Sequence, residues 1–478
     1  MTKLLRAFNT GSARSALLLA VLSLALGGCA TFLPDGGLSA VQTLANDRIG
    51  VRARLPAKGD DSVSAAAAIR EMLGKPLDVD DAVQVALLNS PALRASLGEL
   101  DIAEADLVQA GRLVNPRFSY SNRRSSDAAS IDRTLMVNVM ALLTMPLAQT
   151  VATRKFESTQ LQVASDVLQL ASDTRRAYFS ALASQQSEKY FDQVMVAAAA
   201  SADLAEKMAA AGNFSKLAQM REQAFRADAM TQLAKARLAS VVERERLTKL
   251  FGLSGSDARY QLPERLPELP ETMVERTDAE RVALERRLDV QMAKRSTEAL
   301  AANLGLTRAT RFINVLEAGY SNESDTGEKR LNGYEIDVEV PLFDWGDAKL
   351  ARAEATYMQS VHRTAAVALA AQSEVRASYQ TYKTAFEVAR HYRDEVVPLR
   401  KRIADENLLR YNGMLISVFE LLEDARAQIA GVNAYVEALR DFWIADDELQ
   451  LALNGGASGG RSPMRTTVMP TDSSIGAH

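Results

Sequence analysis

The chain has 478 residues, of which 47% are hydrophobic and 24% charged, with a formal net charge of −4. That length can bury a large core, and the charge balance gives no reason to expect a nucleic-acid binder. Aromatic residues are only 6% while alanine is abundant, which favours long, closely packed helices over a sandwich or a dinucleotide-binding domain.

At the start, Lys3, Arg6 and Arg14 precede an apolar run from Ser15 to Leu26. A basic segment followed by a short apolar one predicts a signal peptide, here residues 1–28. The run is too short to span a bilayer, and no later stretch of about 18 apolar residues follows it. The only cysteine, Cys29, ends the run Leu26-Gly27-Gly28-Cys29 directly after that segment. This resembles the lipobox of bacterial lipoproteins, in which the mature N-terminal cysteine carries a diacylglycerol and a further acyl chain such as palmitate. A lone cysteine cannot form an internal disulfide, so acylation gives it a role. Ala30 follows it, where an aspartate would resemble an inner-membrane retention signal. Residues 29–75 are weakly patterned and are expected to wrap the outside of the body.

The remainder reads as two similar halves, residues 76–253 and 277–454. Each holds a helical entry, two alternating strands and two very long helices. Leu93 opens a helix leading to a strand near Asn115–Tyr120, and Val290 leads likewise to Phe312–Tyr320. Met145-Pro146-Leu147 is read as the end of the second strand in the first half, and Val340-Pro341-Leu342-Phe343 in the second. Ala211-Gly212-Asn213 and Tyr411-Asn412-Gly413 each interrupt the helical stretch once. The connector, residues 254–276, carries Pro263, Pro267 and Pro270, too closely spaced for a helix. Residues 455–478, rich in Gly, Ser, Thr and Pro, read as a disordered tail.

The long helices show heptad seams. Val418, Leu422, Ala425, Ile429, Val432, Val436 and Leu439 step alternately by four and three. Leu161, Ala164, Leu168, Ala171, Tyr178 and Leu182 do the same in the first half, with Arg175 at one missed position. A helix from Thr150 to Ala211 would be ~90 Å long. In the strands, Tyr334, Ile336, Val338, Val340 and Leu342 share one face while Glu335, Asp337 and Glu339 share the other. That alternation fits a strand with lipid on one side and water on the other, and equally a half-buried strand of a soluble sheet. Ser121–Arg133 and Ser321–Asn332 read as polar hairpin loops. Four strands cannot close a barrel, and an open edge in lipid leaves backbone groups unpaired. Strands that enter a membrane therefore demand several copies, and three copies supply twelve strands.

Several short motifs then fall into order. Asn89-Ser90-Pro91-Ala92-Leu93, Ala103-Glu104-Ala105 and Gly111-Arg112-Leu113-Val114-Asn115-Pro116 resemble the first helix and strand entry of the TolC family of outer-membrane efflux channels. Pro341-Leu342-Phe343-Asp344-Trp345-Gly346 is similar to that family's second strand-to-helix junction. Arg410-Tyr411-Asn412-Gly413, with Ser417 and Leu421-Leu422, resembles its periplasmic helix turn. The first turn, Gly212-Asn213-Phe214-Ser215, departs from the usual form. The resemblance covers residues 76–454. It implies a mainly α fold with a small β part: a homotrimer with one shared twelve-stranded transmembrane β-barrel and a periplasmic α-barrel of antiparallel coiled helices. It also implies an outer-membrane location, passive transport, and two partners, a membrane-fusion adaptor and an inner-membrane transporter.

On this reading Glu335, Asp337 and Glu339 line the pore, and Gly212 and Gly413 occupy left-handed turns at the periplasmic tip. Glu420, Glu423 and Asp424, just past the second turn, are candidates for an acidic ring, or for solvated outer-face charges. The second turn is most similar to the branch found with heavy-metal exporters; the 15 methionines suit soft metals but also fill core gaps. His362, His391 and His478 lie far apart, no phosphate-binding glycine loop follows a strand, and no nucleophile and base can be paired. No enzyme, cofactor or resident metal is expected. The competing reading is a soluble periplasmic coiled-coil lipoprotein acting as adaptor or scaffold. It shares the lipobox and heptads but not the paired strands and the two-fold layout.

Overall fold

The computed structural model describes residues 31–49, 53–56, 62–255, 258–312, 315–416 and 418–455. The leader, Cys29 and the chain after Gly455 lie outside them, as do Ser417 and the side chains of Leu422 and Glu423. The elements in chain order are α1 Leu38–Ile49, α2 Ser62–Leu73, α3 Val79–Asn89, α4 Pro91–Ala110, β1 Arg117–Arg124, β2 Ala129–Asn138, α5 Val139–Ala210 and α6 Lys216–Leu250. The second half adds α7 Ala279–Arg286, α8 Leu288–Thr310, β3 Leu316–Asp325, β4 Leu331–Val338, α9 Asp347–His391, α10 Val397–Asn412 and α11 Val418–Asn454.

Both halves repeat one plan. Helix α5 has 72 residues, about 110 Å at 1.5 Å each, and returns through the 35 residues of α6. In the second half α9 continues into α10 through a π-helical turn at Tyr392–Val396, and α11 returns over 37 residues. Pro398 explains the turn: with no N–H to donate and a ring that crowds the preceding carbonyl, it cannot continue a regular α-helix, and the wider turn absorbs it.

The first-half seam is buried: Leu161, Ala164, Leu168, Ala171, Tyr178 and Leu182 are all at most 8% exposed. On α11 Val436 and Leu439 are buried, while Ala425, Ile429 and Val432 are half-buried. The main core joins the middle of α5 to α3, α7, α9 and α11, with Tyr382, Phe386 and Phe442 packed ring to ring. A second cluster seats α1, α4 and α8 against the upper part of α5. Residues 29–75 do wrap the body where described: Val41 and Ala45 of α1 are fully buried, and Arg175 donates to the Ile49 carbonyl. The proline-rich connector also lies on the body. Leu262, Leu266 and Leu269 are buried, Gln185 donates to the Pro263 carbonyl, and Trp443 donates to that of Pro267.

The boundaries correct several expectations. Strand β2 ends at Asn138, not at Met145-Pro146-Leu147, and Val139–Met145 is helical. The run Val-Met-Ala-Leu-Leu-Thr-Met lacks strand alternation and is rich in helix formers, and the Asn138 side chain caps it by accepting the Ala141 N–H at 2.7 Å. Strand β4 stops at Val338, short of Val340 and Leu342. The Glu339 N–H still reaches the Val315 carbonyl, but Pro341 has no N–H to extend the ladder and the chain turns there. β1 and β3 begin at Arg117 and Leu316, later than expected. The loops are shorter than expected, because polar residues up to Arg124 and Asp325 remain paired in strands. Gly455, assigned to the tail, closes α11 with its N–H on the Leu451 carbonyl.

Candidate pore-lining face and helical tip

The four strands form one antiparallel sheet in the order β1-β2-β3-β4. Residues directly opposite one another share a face. The register therefore places Phe118, Leu135, Tyr320 and Tyr334 in one row, and Val137, Ala318 and Ile336 in the next. No described residue packs on this apolar face: Tyr334 is 90% exposed and Ile336 72%. Tyr320 and Tyr334 meet edge to face at 6.0 Å.

The opposite face is acidic. Glu335 lies across from Gly319, and Asp337 lies across from Glu317, which in turn faces Asn138. Asp132 and Glu323 form a further row, and Asp325 lies on the same face beyond Ser130. Arg117 and Arg123 are the cations of this face on β1. Glu335 and Asp337, expected on one face, are there together; Glu339 lies past the strand end. Glu317, Glu323, Asp325 and Asp132 were missed. The alternation of Leu316, Ala318 and Tyr320 with Glu317 and Gly319 carried the signal, but the partner strands fix the row.

At the far end of the helices the two turns differ. Gly212 follows α5 with φ +77°, and Ser215 then caps α6 by accepting the Ala218 N–H. Gly413 is not left-handed: its φ is −81°, and Met414 carries the positive angle, φ 59°. The reversal falls one residue later than the glycine suggested. Met414 and Leu415 stand 93% and 77% exposed. Of the acidic candidates, Glu420 is exposed, while Asp424 accepts a hydrogen bond from Asn407 of α10. Glu222 of α6, 1% exposed, had no sequence signal; it accepts from Ser201 and pairs with Arg426 of α11 at 3.4 Å. Arg426 also sits 4.1 Å over the Phe225 ring. Among the described residues no group of three or more His, Cys, Asp or Glu side chains could hold a metal ion. No described helix is long and apolar enough to cross a membrane, which says nothing of the sheet.

The sequence profile of the outer membrane efflux proteins matches residues 82–253, from α3 to just past α6. Beyond that segment the likeness to solved structures is one of fold. A membrane protein from Pseudomonas aeruginosa superposes with a TM-score of 0.69 at 20% identity, over 83% of this chain and 92% of its own. The outer membrane protein VceC of Vibrio cholerae gives 0.67 at 17%, over 79% and 96%. The open state of the MtrE outer membrane channel of Neisseria gonorrhoeae gives 0.67 at 16%, over 79% and 89%. No curated protein sequence matches the chain significantly. The chain thus has the fold of TolC-like outer-membrane channels, and its efflux-protein segment holds the first strand pair and the first helical hairpin.

Proposed function

We propose that three copies of this chain form the exit duct of a tripartite efflux system, a passive channel from the periplasm to the outside. The observation that carries the reading is the two-faced sheet, bare and apolar on one side and acidic on the other, set on two helical hairpins. A carboxylate facing hydrocarbon costs on the order of 2–3 kcal/mol, so the acidic face turns to water and the apolar face to lipid. Twelve strands from three copies close a barrel wide enough for a lumen. The hairpins cross the periplasm, and the turns at Gly212 and Gly413–Met414 meet a membrane-fusion adaptor and, through it, an inner-membrane transporter. Cys29 carries the lipid.

The test is a reversal potential across a planar bilayer under a salt gradient. Wild type is expected to prefer cations, less so as ionic strength rises and screening shortens the field of the carboxylates. The Glu317→Gln, Glu335→Gln, Asp337→Asn variant is expected to lose most of that preference. Equal selectivity in the two proteins would remove this face from the conducting path.

A further inference from the structure

The lipid-facing part of the sheet is too short for a membrane. Its outward apolar rows run from Tyr334 to Val338, about 13 Å of strand, or ~10 Å of height at the tilt usual for barrels. An outer-membrane barrel shows a lipid-facing band about 25 Å tall. The missing height does not lie toward the hairpin turns. The next outward row there is Tyr120, Arg133, Asn322 and Asn332, and Arg133 donates to the Asn322 side chain.

Toward the helices the apolar surface continues. Helix α5 begins on the residue after β2, and Leu143 and Leu147 stand one turn apart on it, 65% and 38% exposed. Exposed polar residues resume at Gln149 and Thr150, and charge at Arg154 and Lys155, which pair with Glu157 and Asp106 respectively. Val139 to Leu147 adds about 12 Å of helix, bringing the total to ~22 Å. In the second half the same level holds Leu342, Phe343 and Trp345, exposed at 69%, 98% and 57%. This knuckle is fixed in place: a Cβ on Gly346, at φ +72°, would stand 2.7 Å from the Arg311 carbonyl, and Asp344 accepts the Gly346 N–H. Arg311 stacks on Phe312 at 4.1 Å.

We propose, on the outer-membrane reading above, that acyl chains of the bilayer cover the strand-to-helix junctions as well as the sheet. The first two turns of α5 lie in hydrocarbon, and the Phe312–Phe343–Trp345 knuckle sits at the headgroup boundary. The backbone permits this division. Past its first turn, where the Asn138 side chain accepts the Ala141 N–H, α5 pairs its own backbone groups except at Pro146, which has no N–H for the Leu142 carbonyl, whereas the irregular knuckle can meet headgroups and water. A second copy does not explain the bare stripe on α5. Strand β2 is interior to the sheet, with partners from its own chain on both sides, so neighbouring copies add at β1 and β4.

Because Cys29 is the only cysteine, Cys29→Ser full-length protein accepts single nitroxide labels cleanly. Labels at Leu143, Leu147 and Phe343, with Ile336 and Leu415 as references, are read in liposomes for collision with oxygen and with a nickel chelate. Leu143 and Leu147 are expected to match Ile336, with an oxygen-to-nickel ratio several-fold above that at Leu415, and Phe343 to fall between. A ratio at Leu143 equal to that at Leu415 would overturn the proposal, as would low collision with both agents, which signals cover by protein. A nickel-accessible Ile336 would instead sink the outer-membrane reading. Protein without an introduced cysteine gives an independent readout. Only two tryptophans exist, so in Trp443→Phe protein lipids brominated near the headgroup should quench Trp345 at least twofold more than lipids brominated at the chain ends. Absence of quenching by either would count against the knuckle.

Discussion

Gly212 and Met414 reverse the two hairpins with the same left-handed backbone but opposite chemistry. A Cβ on Gly212 would meet nothing within 4 Å, so only backbone strain opposes substitution. Gly212→Ala should cost about 1 kcal/mol, while Gly413→Ala, at φ −81° with ordinary contacts, should be close to neutral. Met414→Gly should leave stability unchanged or raise it. Chemical denaturation of the detergent-solubilised protein checks all three, and a Gly413→Ala loss larger than that of Gly212→Ala would contradict the turn assignment. The sequence pointed to the turn but not to the residue bearing its strain, because glycine is the usual occupant and a methionine carries no such signal. Asp447 offers a second residue-scale test. Burial pushes its carboxyl up to about 6, although the Ser172 hydroxyl and Arg175 partly offset that. Raised above its unfolded value, this group binds its proton more tightly in the folded state. Stability should therefore fall as pH climbs from about 4 to about 6, by up to ~3 kcal/mol at full ionisation. Asp447→Asn should remove that slope, measured as the wild-type minus variant difference in melting temperature between pH 4.5 and 7.5. A difference that does not change with pH would refute it.

At the scale of elements, helix identity was legible and strand extent was not. The heptad spacing of Leu161 to Leu182 needs only local sequence, and those residues are buried as the period requires. The end of β2 depended on a competition between strand alternation and the capping of α5 by Asn138, which the proline at 146 obscured. Membership of the acidic face depended on register, a property of strand pairs that one strand cannot reveal. That register has a consequence: Glu317 and Asp337 are like charges directly opposite each other, an arrangement that destabilises a sheet by a few tenths to about 1 kcal/mol. Glu317→Gln should raise the heat resistance of the assembled barrel and lower cation preference together. Glu339→Gln, beyond the strand, should change neither by as much. Gel mobility after stepwise heating and the bilayer reversal potential read the two effects. A selectivity loss from Glu339→Gln exceeding that from Glu317→Gln would return the pore-lining role to the strand end.

At the scale of the molecule, the two-fold layout was readable because long elements recur in fixed order. The need for several copies followed from the count of four strands, and the number three came only with the resemblance, since one sequence carries no record of its copies. The sheet supplies the physical argument: its edges are β1 and β4, each with unpaired N–H and C=O groups, and a lipid setting forbids leaving them open. The edge of β1 in one copy must then pair with the edge of β4 in the next, and the ring closes only at a fixed number. Cysteines at Ser119 or Ser121 on β1, each combined with one at Gly333 or Glu335 on β4 in Cys29→Ser protein, sample the possible registers on one face. At least one pair should crosslink under oxidation and give a ladder ending at three chains on a denaturing gel. A ladder that ends at two would leave eight strands, too few for a water-filled lumen, and one that continues without a limit would mean an open stack of sheets. Either outcome would rule out the twelve-stranded duct, because the inter-copy strand pairing is what the closed barrel requires.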